Sequence, residues 1–327
     1  MLDITLEEIS SCPACGSELS ELWSAAHDRL HQTTNQKFEY NRCLGCRSLY
    51  ESVRPIQEDI WKCYPDNYGP YAIKNSRKTL IWSPKWFNKV TNAFSERIIG
   101  ISAFRRRIGE IEGRMNQAGV MLDFGCGSGK YLDRAKKYGT KAIGMDFSKQ
   151  ALDQVSARGH RALPVDDSSW DALGEGVVGF VRMNHVIEHL YNPEAILRRI
   201  HRAMKPGATL HIATPNPMGP SAEIYRAAWW GLECPRHVVL ISPDRVVAIL
   251  RSLGFSKIEV INEPTAKDLA RSWAYTLVDR NLISNEIIEG LAADGLLNLW
   301  FSWIIRNKIK RGEPTDRYHI VSVKSEI

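Results

Sequence analysis

The segment Val120-Met-Leu-Asp-Phe-Gly-Cys-Gly-Ser-Gly-Lys130 constrains this chain more than any other. A short apolar run enters Gly125, Gly127 and Gly129 and then an amphipathic stretch, Lys130 to Tyr138, the pattern of a strand, a tight turn and a helix. Glycines at such a turn let the backbone approach a ligand where a Cβ would intrude, and Cys126 between them is small enough to fit. A phosphate loop needs four residues between its first glycine and the Gly-Lys pair, followed by Ser or Thr. Here three residues separate Gly125 from Gly129, and Tyr131 follows Lys130. A dinucleotide turn reads Gly-x-Gly-x-x-Gly and rests a pyrophosphate on the helix N-terminus, but this one reads Gly-x-Gly-x-Gly with Asp123 two residues upstream. A carboxylate there repels pyrophosphate and suits a ligand bearing an ammonium group and a sulfonium.

From Gly119 to about Ile261 short apolar strands alternate with helix-length amphipathic stretches, which predicts a doubly wound, mostly parallel α/β sheet. Strands are expected at Val120–Phe124, Lys141–Asp146, His160–Leu163, Val178–Met183, Thr209–Thr214 and Ser256–Ile261, with a last one at Arg317–Lys324. Helices are expected at Lys130–Tyr138, Pro193–Met204 and Pro243–Leu253, the last with Ser242 as N-cap and Gly254 as its stop. A helical insertion should fill about 263–315. Upstream, the spacing of Val90, Phe94, Ile98 and Ile101 predicts helix in a connector or lid over 56–115. The expected organisation is therefore a small unit over 1–55, this connector, and the α/β domain over 116–327.

Asp146 closes the second strand of the sheet, seventeen residues after Gly129, where its carboxylate can accept the hydroxyls of a ribose. With that residue, four features stand in order: the turn from Asp123 to Gly129, Asp146, the stretch Asn184-His-Val-Ile-Glu-His-Leu190, and Leu197 to Pro217. Residues 119–261 resemble a class I methyltransferase of the broad family that includes the ubiquinone-pathway O-methyltransferases. The resemblance implies a Rossmann-like fold and S-adenosylmethionine as methyl donor. It places the methionine end on Asp123, Gly125, Cys126, Gly127 and Gly129, and the ribose and adenine beside Asp146 and Phe147, with Asn184 also at the cofactor.

His185, Glu188 and His189 stand at i, i+3 and i+4, so a helical turn would set them on one face beyond the fourth strand, where the methyl group should lie. A neutral imidazole there could take a proton from an acceptor hydroxyl, or the group could bind a divalent cation. The ubiquinone-pathway relatives carry Glu where His185 stands, at residues associated with magnesium; imidazole in place of that hard oxygen favours an acid/base or positioning role. Trp229 to Pro243 resembles the substrate-side segment of those enzymes and puts His237 on the opposite wall. The alternative for these residues is loop stabilisation through backbone hydrogen bonds.

Cys12-Pro-Ala-Cys15 and Cys43-Leu-Gly-Cys46 form two knuckles separated by twenty-seven residues. Four thiolates suit a structural zinc ribbon, whose metal would replace the core that the first fifty residues are too poor in aliphatic side chains to build. Cys63 and Cys234 read as packing residues. Zinc ribbons can touch nucleic acid, and Arg105-Arg-Arg107 could assist. The net charge of +6 is modest, however, and Arg29, Lys37, Arg42 and Arg47 are dispersed across the ribbon. Similar Cys-pair units join methyltransferases of deoxysugars and other small molecules.

The expected function is thus S-adenosylmethionine-dependent O-methylation of a sugar, glycoconjugate or secondary-metabolite hydroxyl. C-methylation of a nucleotide-linked deoxysugar and an RNA-directed activity are the alternatives. The N-terminus lacks a basic region followed by an apolar stretch, from which a cytoplasmic location is expected. The apolar run Gly295 to Ile305, with Arg306 to Arg311 after it, is too short to span a bilayer. It is expected to pack on the sheet, to make a homodimer contact, or to lie on a membrane surface through 295–311.

Overall fold

The structure is a computed structural model that describes residues 3–65, 68 and 84–326. The stretch 69–83 of the expected connector or lid lies outside the described residues. The N-terminal unit contains β1 (Leu6–Glu8), β2 (Ser20–His27), β3 (Lys37–Cys43), β4 (Leu49–Glu51) and β5 (Val53–Pro55). Two helices follow, α1 (Lys85–Ile98) and α2 (Ile101–Gly113). Gly100, at φ +74°, breaks what the apolar spacing read as one helix, so Ile101 opens the second.

The large sheet then begins with β6 (Val120–Phe124), α3 (Lys130–Lys136), β7 (Lys141–Asp146), α4 (Lys149–Ala157), β8 (Arg161–Pro164) and α5 (Asp167–Leu173). It continues with β9 (Val178–Asn184), α6 (Pro193–Ala203) and β10 (Met204–Pro215). After α7 (Pro220–Tyr225), β11 (Val239–Leu240) and α8 (Pro243–Ser252) comes β12 (Phe255–Glu263). The insertion is helical as expected, with α9 (Lys267–Asp279), α10 (Ile288–Ala293) and α11 (Gly295–Lys310), and β13 (Arg317–Lys324) closes the sheet.

Side-chain caps explain where several helices start. Ser148, Asp166, Asn192 and Ser242 each accept the backbone N–H of the third residue on, for α4, α5, α6 and α8, and Pro stands at the first position of the last two. By contrast α3 starts at Gly129 with no side-chain cap, so its first N–H groups stay open toward the turn.

Strand order is β12-β13-β10-β9-β6-β7-β8, with β10, β9, β6, β7 and β8 mutually parallel and β13 antiparallel to both its neighbours. The chain runs outward from β6 through β8, then returns to β9 and builds the other way. The crevice at this reversal, beyond the carboxyl ends of β6 and β9, is where open α/β sheets bind ligands. Leu122, Phe124, Met145, Val181, Met183, Leu210 and Ile212 are fully buried across the sheet. At about 1.5–3 kcal/mol for each large apolar side chain removed from water, this layer is what fixes the strand ends in space.

The smaller sheet has the order β11-β4-β3-β2. Its aromatic residues Trp23, Phe38 and Tyr40 pack with Trp229, Leu232 and Leu240, so the N-terminal unit obtains from the segment after β10 the core it lacks alone.

Candidate active site

Asp123 ends up buried near the tip of β6. Its Oδ1 accepts from Arg182 Nη1 at 3.1 Å, while Oδ2 has no partner among the described residues and is a ready acceptor for an ammonium group. Burial pushes the Asp123 carboxyl above its ordinary value, opposed by Arg182. The Arg182 guanidinium lies over the Tyr131 ring at 3.9 Å, which holds it against the carboxylate.

The turn itself is a cradle that side chains would fill. Gly125, Gly127 and Gly129 have φ of +75°, +50° and +74°. A Cβ on Gly125 would overlap Val186, and Cys126 packs its Sγ over Gly144 of β7. Asp146 clamps this turn: Oδ2 accepts from Gly127 N–H and Oδ1 from Ser148 N–H, both at 2.9 Å. The clamp holds the Asp146 carboxylate at the end of β7, beside the turn. Phe147 is 56% exposed beyond Asp146, edge-on to Phe124 at 6.0 Å, and offers a ring face to a flat base. Asn184 stands half-buried at the end of β9. The orphaned Asp123 oxygen, the open cradle and the free ring together fit the ends of S-adenosylmethionine.

Beyond Asn184 the chain turns sharply. His185 has φ +55°, in the left-handed region that costs a non-glycine residue about 1–3 kcal/mol, and its N–H is held by the Ala213 carbonyl at 2.8 Å. A short 3-10 turn, Ile187–His189, follows. Glu188 is fully buried, with Oε1 accepting from His185 Nδ1 at 3.3 Å and Oε2 from the Thr214 hydroxyl at 2.9 Å. Burial would raise its carboxyl, but the bond from His185 and the nearby His237 outweigh it and hold Glu188 at about 2.

His237 arrives from the opposite wall, as the sequence suggested. Its Nδ1–H donates to the Gly231 carbonyl at 2.8 Å, which leaves Nε2 facing Glu188 at 4.0 Å and Glu233 at 3.7 Å. His189 meets the His237 ring edge-on at 4.6 Å, and its Nδ1 donates to the Arg236 carbonyl at 2.9 Å. Burial, with His237 adding to it, lowers His189 to about 4 and keeps it neutral at pH 7. All four expected residues, His185, Glu188, His189 and His237, thus form one cluster. Glu188, His189 and His237 bring ligand atoms within 4.8 Å of one another, so these three could also hold a cation.

The sequence reading missed the rest of the wall. Glu233, at φ +34°, accepts from the Tyr68 hydroxyl at 2.8 Å and is brought to about 2 because His237 and Arg236 outweigh its burial. Arg236 is buried and grips Asp28 with two bonds of 2.9 and 3.0 Å. Tyr64 stands at the same wall, its hydroxyl 3.0 Å from His189 Nδ1. The spacings of Tyr64 with Tyr68 and of Glu233 with Arg236 and His237 are the local hints of these contacts; Asp28, the tyrosines and the 233–237 segment come together only through the fold.

The cysteine knuckles come together as the spacing implied. The four Sγ atoms lie within 4.8 Å of one another, with Cys12–Cys46 at 3.7 Å and Cys15–Cys43 at 3.5 Å, and no disulfide joins them. Zinc–sulfur bonds of about 2.3 Å in a tetrahedron give sulfur–sulfur edges of about 3.8 Å, so the donor set fits that metal.

Comparison with known proteins agrees with this geometry. A model of the methyltransferase domain matches residues 96–260, half of the chain. N-demethylindolmycin N-methyltransferase of Streptomyces griseus is 32% identical over 111 residues, covering 31% of this chain and 46% of that protein. Ubiquinone biosynthesis O-methyltransferase of Ruegeria pomeroyi is 27% identical over 188 residues, covering 52% of this chain and 72% of the relative. Among solved structures, a SAM dependent methyltransferase from Archaeoglobus fulgidus superposes with a TM-score of 0.48 at 20% identity, over 74% of this chain and 100% of the other. On the family match, with the glycine cradle and the strand order beside it, the chain belongs to the methyltransferase-domain family as a class I S-adenosylmethionine-dependent methyltransferase.

Proposed function

We propose that this chain methylates a hydroxyl of a small-molecule acceptor, with a sugar, glycoconjugate or secondary metabolite as the leading class, and that His185 accepts the hydroxyl proton. The observation that carries this reading is the His185–Glu188 pair. With Nδ1–H committed to a buried carboxylate, His185 keeps Nε2 bare, and its side chain is 29% exposed at the mouth of the crevice, whereas His237 is 3% exposed. Bound at the turn, S-adenosylmethionine supplies an electrophilic methyl group. The acceptor oxygen bonds to that carbon as the carbon–sulfur bond breaks, and the proton passes to Nε2 while Glu188 stabilises the resulting imidazolium. Glu233 and His237 line the wall behind.

The Cys12, Cys15, Cys43 and Cys46 thiolates hold a structural zinc in this reading. A small acceptor is favoured over nucleic acid because five of the seven cations that Arg29, Lys37, Arg42, Arg47 and Arg105 to Arg107 would offer RNA are engaged. Arg29 pairs with Asp279, Arg42 with Glu223, Arg47 with Asp244, Arg105 with Glu96 and Arg107 with Glu259.

His185→Ala should lower kcat about 10²- to 10⁴-fold while calorimetry shows S-adenosylmethionine binding unchanged. Normal turnover in His185→Ala, His189→Ala and His237→Ala alike would remove the histidines from proton transfer. A second reading, an amine acceptor, is favoured by Glu188 and Glu233, two ionised carboxylates that suit positive charge developing on nitrogen. It predicts turnover that survives His185→Ala at high pH, where the amine arrives unprotonated.

A further inference from the structure

Two helices from distant parts of the chain leave six large apolar side chains in solvent. α1 and α11 lie parallel along a seam of small and polar residues. Asn88 accepts from Gly295 N–H at 2.7 Å, Asn298 donates to Asn92 at 3.0 Å, and Ser95 and Ser302 meet at 2.5 Å. A Cβ on Gly295 would overlap Thr91, so the two backbones approach as closely as glycine allows. Trp86, Val90 and Phe94 on α1 are 59–69% exposed, and Leu296, Trp300 and Trp303 on α11 are 53–61% exposed. At about 100° per residue, the first stripe lies about 130° one way round from the seam and the second about 130° the other way. In a parallel pair that puts both stripes on the same side. One exposed indole is ordinary; three of them with Val90, Phe94 and Leu296 on one side form a surface.

We propose that this face docks on an anionic lipid bilayer, lying on it rather than crossing it. Among the described residues no helix is long and apolar enough to span a membrane. The charges around the face complement anionic headgroups. Arg97, Arg306 and Lys310, on the same side as the stripes, are exposed and enter no ion pair among the described residues. α11 contains no acidic residue, and the single one on α1, Glu96, is taken by Arg105 at 2.7 Å. Arg97 follows Phe94 at the C-terminal end of α1, and Arg306 and Lys310 follow Trp303 at the same end of α11. The result is an indole-rich plane with a basic margin, the composition of a helix face seated at the headgroup boundary. Self-association through this face would set the same free cations against one another with no carboxylate opposite, which disfavours a second copy as occupant.

The test uses the full chain with vesicles of phosphatidylcholine, alone or with phosphatidylglycerol. Sedimentation with the anionic vesicles and a blue shift of tryptophan emission are expected, both weakened by salt. Arg306→Gln with Lys310→Gln should lower the partition coefficient about thirty-fold. Trp86→Gln with Trp300→Gln and Trp303→Gln should abolish binding while the melting temperature stays unchanged, since all three side chains are exposed. No retention on anionic vesicles overturns the proposal, as does retention indifferent to these variants. So does a wild-type dimer in sedimentation velocity that the tryptophan variant converts to monomer.

Discussion

Replacing Gly125 by alanine tests whether the cofactor turn and the histidine cluster are built against each other. Alanine would have to adopt φ +75° and place its Cβ inside the volume of Val186, 2.9 Å from Cγ1 and closer still to Cγ2. The backbone conformation costs about 1–2 kcal/mol, and forcing a methyl group into a packed contact about 1–3 kcal/mol more. A loss of roughly 2–5 kcal/mol is a large part of the total stability of an ordinary domain and should lower Tm by about 5–10 °C or more. The alternative is for the turn to move, which relieves the overlap but shifts the N–H of Gly127 off Asp146 and weakens S-adenosylmethionine binding at least about tenfold. Val186→Ala separates the two terms. It removes both Cγ atoms, so in the double variant only the backbone strain at the substituted glycine and the lost packing of Val186 remain. The double variant should therefore be more stable than the sum of the singles implies, by about 1–3 kcal/mol. Urea titrations with and without S-adenosylmethionine give all four corners of the cycle. Additivity within about 0.5 kcal/mol, or an unshifted Gly125→Ala, would falsify the packing argument.

Asp316 offers a pH test. Burial raises its carboxyl to about 7, against hydrogen bonds from the Ser221 N–H and hydroxyl that lower it. A raised carboxyl stabilises the fold below its unfolded value near 3.8 and loses that contribution as pH climbs through about 7. Its share, up to about 4 kcal/mol, should therefore be lost between about pH 4 and 8, and Asp316→Asn should flatten the fall in urea midpoint over that range. Cys43→Ser should reduce zinc content by elemental analysis from one per chain to near none, with lower protection of strands β2–β4 in hydrogen exchange. Arg236→Ala leaves Asp28 as an uncompensated buried charge and should cost about 3–5 kcal/mol in chemical denaturation. Asp28→Asn added to it should recover part of that loss.

What the sequence revealed depended on how local the physical cause was. The boundaries of β6, β7 and β13 follow from runs of apolar residues ended by a turn or a charge, and they stand where the pattern put them. The start of α8 follows from Ser242 and Pro243, two residues whose preferences act within one helical turn. The cofactor cradle was legible for the same reason, because Asp123 to Gly129 is a single continuous turn. Beyond His237, the opposite wall was not. Glu233 means nothing until the chain brings Tyr68 beside it, and Arg236 reads as a surface cation until Asp28 is found across 208 residues. The break at Gly100 was missed because apolar spacing of 3.6 continues straight through it. Periodicity reports which face is dry, and a single residue in the left-handed region can end a helix without disturbing that pattern.

β11 is only two residues long, Val239 and Leu240, yet it binds the two halves of the chain into one working part. It pairs with β4 three residues after the second knuckle and begins two residues after His237, and Ser242 fastens its far end to Cys46 O and Ser48 Oγ at 2.6 and 3.0 Å. Cutting away the first 55 residues would strip three of the four strands from that sheet and leave β11 with an unpaired edge and no backing. The cysteine unit therefore cannot be exchanged or trimmed as an accessory cassette. Grafting it onto another catalytic domain would carry no benefit unless the receiving wall supplied its own strand, and any variant library for new acceptors must treat the knuckles and the His237 loop as a single unit.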